Sequence, residues 1–182
     1  MDPKYFSYYP TFFSEVDFQE VLDELQPFFG DNIVYKTLID RKSCKFSNDP
    51  KNPQLMSYNN RNTFHFNKSP WIEYFRQEIQ DLTGIEYDYV LVHLYPDERA
   101  SISRHFDAEA LNSSVASISL GETRRMRFFQ PKVVRGCVQE FHLAHGDVLI
   151  MEKGCQQIYQ HEIPKEKYEL GPRINMTWRV FQ

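Results

Sequence analysis

At 182 residues and a net charge of -4, the chain fits one domain large enough to bury a core, and its mild acidity excludes a protein that grips nucleic acid by bulk electrostatics alone. Cys44, Cys137 and Cys155 show no C-x-x-C spacing, which argues against a disulfide framework or a structural zinc site and for a reducing, intracellular compartment. No basic N-terminal segment leads into an apolar run and no stretch of about 18 apolar residues occurs, so a soluble, non-secreted chain with no membrane partner is predicted.

In chain order, Ser14 followed by Asp17 reads as a helix start, and Phe18, Val21, Leu22, Leu25 and Phe28 recur at helical spacing up to Gly30. A short strand is predicted over 33–39, leading into the cationic stretch around Arg41, Lys42 and Lys45. Residues 47–62 are rich in Asn, Pro and Ser without periodicity and read as a loop or hairpin lid. Ser69 as N-cap and Pro70 at the first helical position open a second helix through Trp71, Ile72, Phe75, Ile79 and Leu82, which Gly84 closes. Strands are then predicted over 87–95, 115–120, 126–130, 138–143, 147–152, 156–161 and 173–181, separated by Gly, Pro and Asn turns. Many short strands after two helices predict a mainly β chain with flanking helices (α+β), a sandwich or jelly-roll barrel with the helices packed on one sheet. Aromatic residues make up 15% of the chain, which fits a tightly packed β core or rings lining a pocket for a planar substrate.

Two patterns carry chemistry. His105 and Asp107 stand two apart in R-A-S-I-S-R-H-F-D-A-E, and His161 follows far downstream in an apolar setting. Side chains two apart on an extended segment share a face, and two imidazoles with one carboxylate on one side of a metal are the ligand set of non-haem Fe(II) oxygenases. A lone H-x-D is weak, so the closing strand matters. Alternation there places Arg173, Asn175, Thr177 and Arg179 on one face, with Ile174, Met176, Trp178 and Val180 on the other. That pattern suits either an edge strand with its polar side in water or an inner wall whose guanidinium forks hold a small dicarboxylate. In Arg124, Arg125 and Arg127, alternation puts Arg125 and Arg127 together and Arg124 opposite.

The runs V-L-V-H-L-Y, R-H-F-D-A-E, A-S-I-S-L-G-E-T-R-R-M-R-F and H-G-D-V-L-I-M, the isolated His161 before Pro164, and the closing R-I-N-M-T-W-R resemble, in order, the AlkB-like family of Fe(II)/2-oxoglutarate dioxygenases. The resemblance covers about residues 87–182, and the closing R-x-N-x-T-x-R is its most specific part. It implies a double-stranded β-helix core over 87–182, with 1–86 as an N-terminal extension carrying helices and a nucleotide-recognition lid in one compact domain. It implies Fe(II) on His105, Asp107 and His161. It also implies 2-oxoglutarate on Arg173, Asn175 and Arg179 with the Tyr95 hydroxyl as a further donor, Arg173 taking the distal carboxylate.

The sequence departs from the family pattern at two places: His93 stands where the family usually has Asn beside the cosubstrate, and Ala108 where repair members carry an acid, leaving Glu109. The implied reaction consumes O2 and 2-oxoglutarate and yields succinate and CO2 while an N-methyl group of a base such as 1-methyladenine or 3-methylcytosine, in DNA or RNA, leaves as formaldehyde. A monomer acting on a flipped or single-stranded base is expected. Arg41, Lys42, Tyr58 and Glu109 are the candidate substrate contacts, with Lys45 a further phosphate contact and Phe64 and Phe66 further stacking rings. The mild charge and Ala108 leave two alternatives: the same chemistry on a protein or small molecule, and a barrel that binds a ligand without iron.

Overall fold

A computed structural model describes residues 2–34, 37–56, 63–131 and 136–182. In chain order the elements are β1 (Phe6–Tyr9), α1 (Phe18–Leu25), β2 (Gly30–Val34), β3 (Thr37–Ser47), α2 (Pro53–Met56), β4 (Thr63–His65), α3 (Pro70–Thr83), β5 (Tyr89–Tyr95), β6 (Ile102–His105), β7 (Val115–Gly121), β8 (Arg124–Phe129), β9 (Cys137–Leu143), β10 (Val148–Met151), α4 (Cys155–Ile158), β11 (Gln160–Ile163) and β12 (Arg173–Arg179).

Both long helices form where the caps direct. The Asp17 side chain accepts from the N–H groups of Gln19 and Glu20, and α1 buries Val21 and Leu25. Ser69 accepts from Ile72 N at 3.1 Å, Pro70 occupies the first turn, and Gly84 ends α3 in the left-handed region. Ile72, Phe75 and Ile79 are fully buried in one core with Val90, Val92, Ile174, Met176 and Trp178. Each such large apolar side chain contributes roughly 1.5–3 kcal/mol by leaving water.

The strands form two sheets, one ordered β1-β10-β7-β12-β5-β3-β2 with β4 parallel to β3, the other ordered β6-β11-β8-β9. The chain is mainly β with few helices, in the two-sheet arrangement of a jelly roll. A second core joins the sheets through Phe6, Tyr95, Leu149 and Met151 on the large one and Met126, Phe128, Phe141 and Ile163 on the small one. Strands from before residue 87 are part of the large sheet: β1 pairs with β10 and β3 with β5.

The strand β12 is central, hydrogen-bonded to β5 on one side and β7 on the other. Every residue from Arg173 to Arg179 is buried, so its polar face is not an edge in water. Ile174, Met176 and Trp178 enter the helix-covered core, and the alternate residues line the opposite face.

Several local expectations change. The strand predicted over 33–39 is two antiparallel strands, β2 and β3. The span 47–62 contains the short turn α2, while 57–62, and with it Tyr58, lies outside the described residues. The strand predicted over 156–161 begins as the helical turn α4, entered through Gly154 at φ 88°, turns extended at Tyr159 and pairs as β11 from Gln160. The strands β1 and β6 are too short and too mixed in pattern to stand out in the sequence. No disulfide joins the cysteines: Cys44 and Cys155 are buried and Cys137 is exposed. No described helix is long and apolar enough to cross a membrane.

Candidate active site

Antiparallel pairing of β11 with β6 sets His161 directly opposite His105, with ring centroids 4.4 Å apart. Asp107 follows two residues beyond His105, at the entry to a 3-10 turn over Ala108–Ala110. Ligand atoms of the three residues all lie within 4.8 Å of one another. His105 Nδ1 stands 2.8 Å from the carbonyl of Ser103. A carbonyl only accepts, so Nδ1 carries a proton, and Nε2, 3.6 Å from Asp107 Oδ1, is the nitrogen turned toward the cluster. His161 is buried, and its Nδ1 has no hydrogen-bond partner among the described residues.

The electrostatics favour ligand-competent protonation states. Burial alone would push the Asp107 carboxyl up, but Arg179 and the two imidazoles outweigh it and hold the group well below the usual carboxylate range. Arg179 Nη2 lies 2.9 Å from Asp107 Oδ2. Burial lowers His161 to about 4, with Asp107 opposing, so the imidazole is neutral at pH 7. Two imidazoles and an ionised carboxylate suit a divalent cation, and this donor set is that of non-haem Fe(II) sites.

The polar face of β12 adjoins this cluster. Arg179 bridges to it, donating from Nη1 to Thr177 Oγ1 at 2.8 Å while its Nε lies 3.6 Å from Glu109 Oε1. Asn175 donates through Nδ2 to Ser117 Oγ and to the Ile118 carbonyl, each at 2.8 Å. Arg173 is wholly buried, its cross-strand partner is Tyr95, and its guanidinium carbon lies 5.3 Å from the Tyr95 ring centroid. Its Nη2 donates to Ser119 Oγ at 2.8 Å, whereas Nε and Nη1 have no hydrogen-bond partner among the described residues. Each buried donor left without an acceptor costs about 1–3 kcal/mol, and an anion beside this guanidinium would satisfy them. A carboxylate fits both the charge and the fork.

His93 lies between Ser43 and Asn175 in register, with Nδ1 2.7 Å from Ser43 Oγ. Burial, with Arg41 and Arg179 nearby, keeps its pKa well below the usual imidazole value. Tyr95, His93, Arg173, Asn175 and Arg179 therefore line one face of the large sheet. Thr177 belongs with them, and Ser43, Ser117 and Ser119 were not singled out in the sequence because small hydroxyl residues within strands carry no distinguishing pattern.

The substrate candidates are less gathered. Arg41 is half-buried and donates from Nη1 to the Ser101 carbonyl at 3.0 Å. Lys42 is exposed and, by alternation, points away from the face that carries Ser43. Glu109 is partly exposed beside Arg179.

Lys45 is not a phosphate contact: it is buried, donates to the Leu55 carbonyl at 3.0 Å, and burial lowers its pKa to about 8. Phe64 packs on Phe28 and Phe46 and is partly buried, whereas Phe66 is a buried core ring near Trp178 and is not open for base stacking. Both corrections follow from β3 and β4 being integral to the large sheet. Arg125 and Arg127 do share an outward face, paired to Glu166 and Glu140, while Arg124 is buried on the carbonyls of Asp97, Ala100 and Pro164.

The model of the 2OG-Fe(II) oxygenase superfamily matches residues 6–179. DNA oxidative demethylase ALKBH2 of Bos taurus is 35% identical over 123 residues, covering 60% of this chain and 44% of that protein. The alpha-ketoglutarate-dependent dioxygenase alkB homolog 3 of Bos taurus is 35% identical over 115 residues, covering 58% of this chain and 40% of that protein. The chain thus spans about half the length of the curated relatives it matches. The solved structure of OsALKBH1 superposes with a TM-score of 0.74 at 17% identity, covering 98% of this chain and 99% of that one. A prolyl hydroxylase from Trichoplax adhaerens, in complex with a hypoxia inducible factor peptide, gives 0.63 at 13% identity over 98% of this chain and 84% of its own. At these identities the two solved structures speak to fold alone.

Proposed function

Because the chain belongs to the 2OG-Fe(II) oxygenase superfamily, we propose that it is an Fe(II)- and 2-oxoglutarate-dependent dioxygenase that oxidatively demethylates N-alkylated bases in nucleic acid. The single observation that carries the reading is Arg173, a fully buried guanidinium with two unpartnered donors, on the strand whose Arg179 grips the Asp107 of a His-Asp-His cluster. The nucleic-acid substrate is supported by relatives about 35% identical, one of them named a DNA oxidative demethylase.

In this reading His105, Asp107 and His161 hold the iron. Bound there with O2 and 2-oxoglutarate, the metal supplies the oxidising power that inserts oxygen into a methyl C–H while 2-oxoglutarate becomes succinate and CO2. The chain's part is placement and shielding. Arg173 receives the far carboxylate of the cosubstrate, and Tyr95, Asn175 and His93 wall its chain. Arg179 keeps Asp107 ionised and oriented and stands at the metal-binding end of the cosubstrate. A hydroxylated N-methyl group then loses formaldehyde as the ring nitrogen takes back its electron pair and the hydroxyl proton leaves. The base reaches this depth only when flipped out or single-stranded, so the sugar and phosphates remain at the mouth near Arg41 and Glu109. Residues 87–182 supply iron and cosubstrate binding and 1–86 nucleotide recognition, with Arg41 and Tyr58 among its contacts, in a monomer acting inside the cell.

The test is incubation with Fe(II), ascorbate, 2-oxoglutarate and oligonucleotides carrying 1-methyladenine or 3-methylcytosine, in parallel with methylated peptides. Formaldehyde and succinate in equal amounts from the oligonucleotides are expected. Turnover on peptides alone would overturn the substrate, and absence of any 2-oxoglutarate consumption would overturn the enzyme.

A further inference from the structure

The turn α4 contributes one side chain to the other end of the ligand set. Gln156 is only 4% exposed, and its Oε1 accepts a 3.0 Å hydrogen bond from the backbone N–H of Asp107. Its Nε2 donates to Met151 Sδ at 3.3 Å, a weak acceptor. Among the described residues these are its hydrogen-bond partners. A primary amide is a poor filler for a site beside Met151 and Cys155, where Met or Leu would pack without burying N–H groups that lack strong acceptors. What the amide adds is the acceptor for Asp107.

Asp107 is thereby held from two sides, its carboxylate by Arg179 at 2.9 Å and its main chain by Gln156. The two ligand segments are also joined, since Gln156 lies on the turn that leads directly into β11 and His161. Without α4, an extended chain from residue 156 onward would alternate past the cluster and not fold this side chain back onto it.

We infer that Gln156 is a positioning residue: through the Asp107 main chain it fixes the only anionic ligand for the metal. The inference rests on the iron site proposed above. It makes metal affinity and geometry, rather than fold, the property that Gln156 serves. Partners of this kind behind the metal ligands typically carry about 10–100-fold in metal affinity.

The experiment compares the full wild-type chain with Gln156→Met, close in shape but without the acceptor, and Gln156→Glu, which keeps it. Mn(II) binding is followed by the EPR signal of the free ion, Co(II) geometry by visible absorption, and stability of the metal-free proteins by thermal melting. We expect Gln156→Met to bind Mn(II) about 10–100-fold more weakly with an altered Co(II) spectrum. Gln156→Glu should retain the wild-type spectrum and bind Mn(II) more tightly than Gln156→Met, even if its melting temperature is the lowest.

Gln156→Met binding Mn(II) like wild type, or both variants losing affinity and spectrum alike, would overturn the inference. Hydrogen exchange of the Asp107 amide in the wild-type protein needs no variant: protection is expected, and exchange as fast as in exposed loops would also overturn it. Failure of the wild-type protein to bind Mn(II) at all would instead bring down the iron site, a separate result.

Discussion

His161 shows how one buried side chain contributes to the pH behaviour of the site. Its pKa falls from the usual 6.5 to about 4 because burial disfavours the imidazolium. Between those values the unfolded chain binds a proton that the folded chain refuses, so stability falls as pH falls through that window. The loss should reach about 2 kcal/mol at pH 5, and it is absent above pH 7. Melting of metal-free protein should therefore drop more steeply between pH 7 and pH 5 for wild type than for His161→Asn, which cannot titrate. Equal slopes would mean that His161 is solvated. The same burial that makes this group costly in acid keeps its lone pair free for a metal at neutral pH.

At the scale of the element, the sequence was most legible where periodicity and chemistry coincide. In β12 a period of two separates four polar from three apolar side chains, and the structure buries both sets because the strand is central. The helices α1 and α3 were equally plain, since Asp17, Ser69, Pro70 and Gly84 mark their ends.

What could not be read depends on contacts distant in sequence. Phe66 and Lys45 resemble surface contacts until β3 is seen to lie between β2 and β5 in the sheet. Gln156 gives no sign of its role because the helical turn that aims it is only four residues long.

Turns at the ends of these elements make their own prediction. Gly84 and Gly121 both have positive φ, at 69° and 88°. A Cβ on Gly84 meets nothing within 4 Å, but one on Gly121, the last residue of β7, would lie 2.5 Å from the Pro172 carbonyl and 2.8 Å from the Phe18 ring. Gly84→Ala should cost about 1 kcal/mol, from backbone strain alone. Gly121→Ala should cost roughly 3–5 kcal/mol, because overpacking against main chain adds to that strain. Urea denaturation of the two variants checks this, and equal losses would mean that Pro172 and Phe18 yield freely.

For the molecule as a whole, the large sheet has two faces with different tasks. One packs on the helices and supplies the apolar core; the other meets the small sheet and carries the buried polar residues. The small sheet brings His105 and His161 together on adjacent strands, and Arg179 ties Asp107 to the large one. The proposed chemistry requires that these parts form one site, with metal and cosubstrate binding together.

Calorimetric titration of 2-oxoglutarate into Mn(II)-loaded protein tests that most directly. One site is expected, abolished by EDTA and by Asp107→Ala, and weakened at least about tenfold by Arg173→Ala because a carboxylate partner in a buried site is worth more than about 1.4 kcal/mol. Binding of wild-type strength without metal, or in Arg173→Ala, would contradict the account.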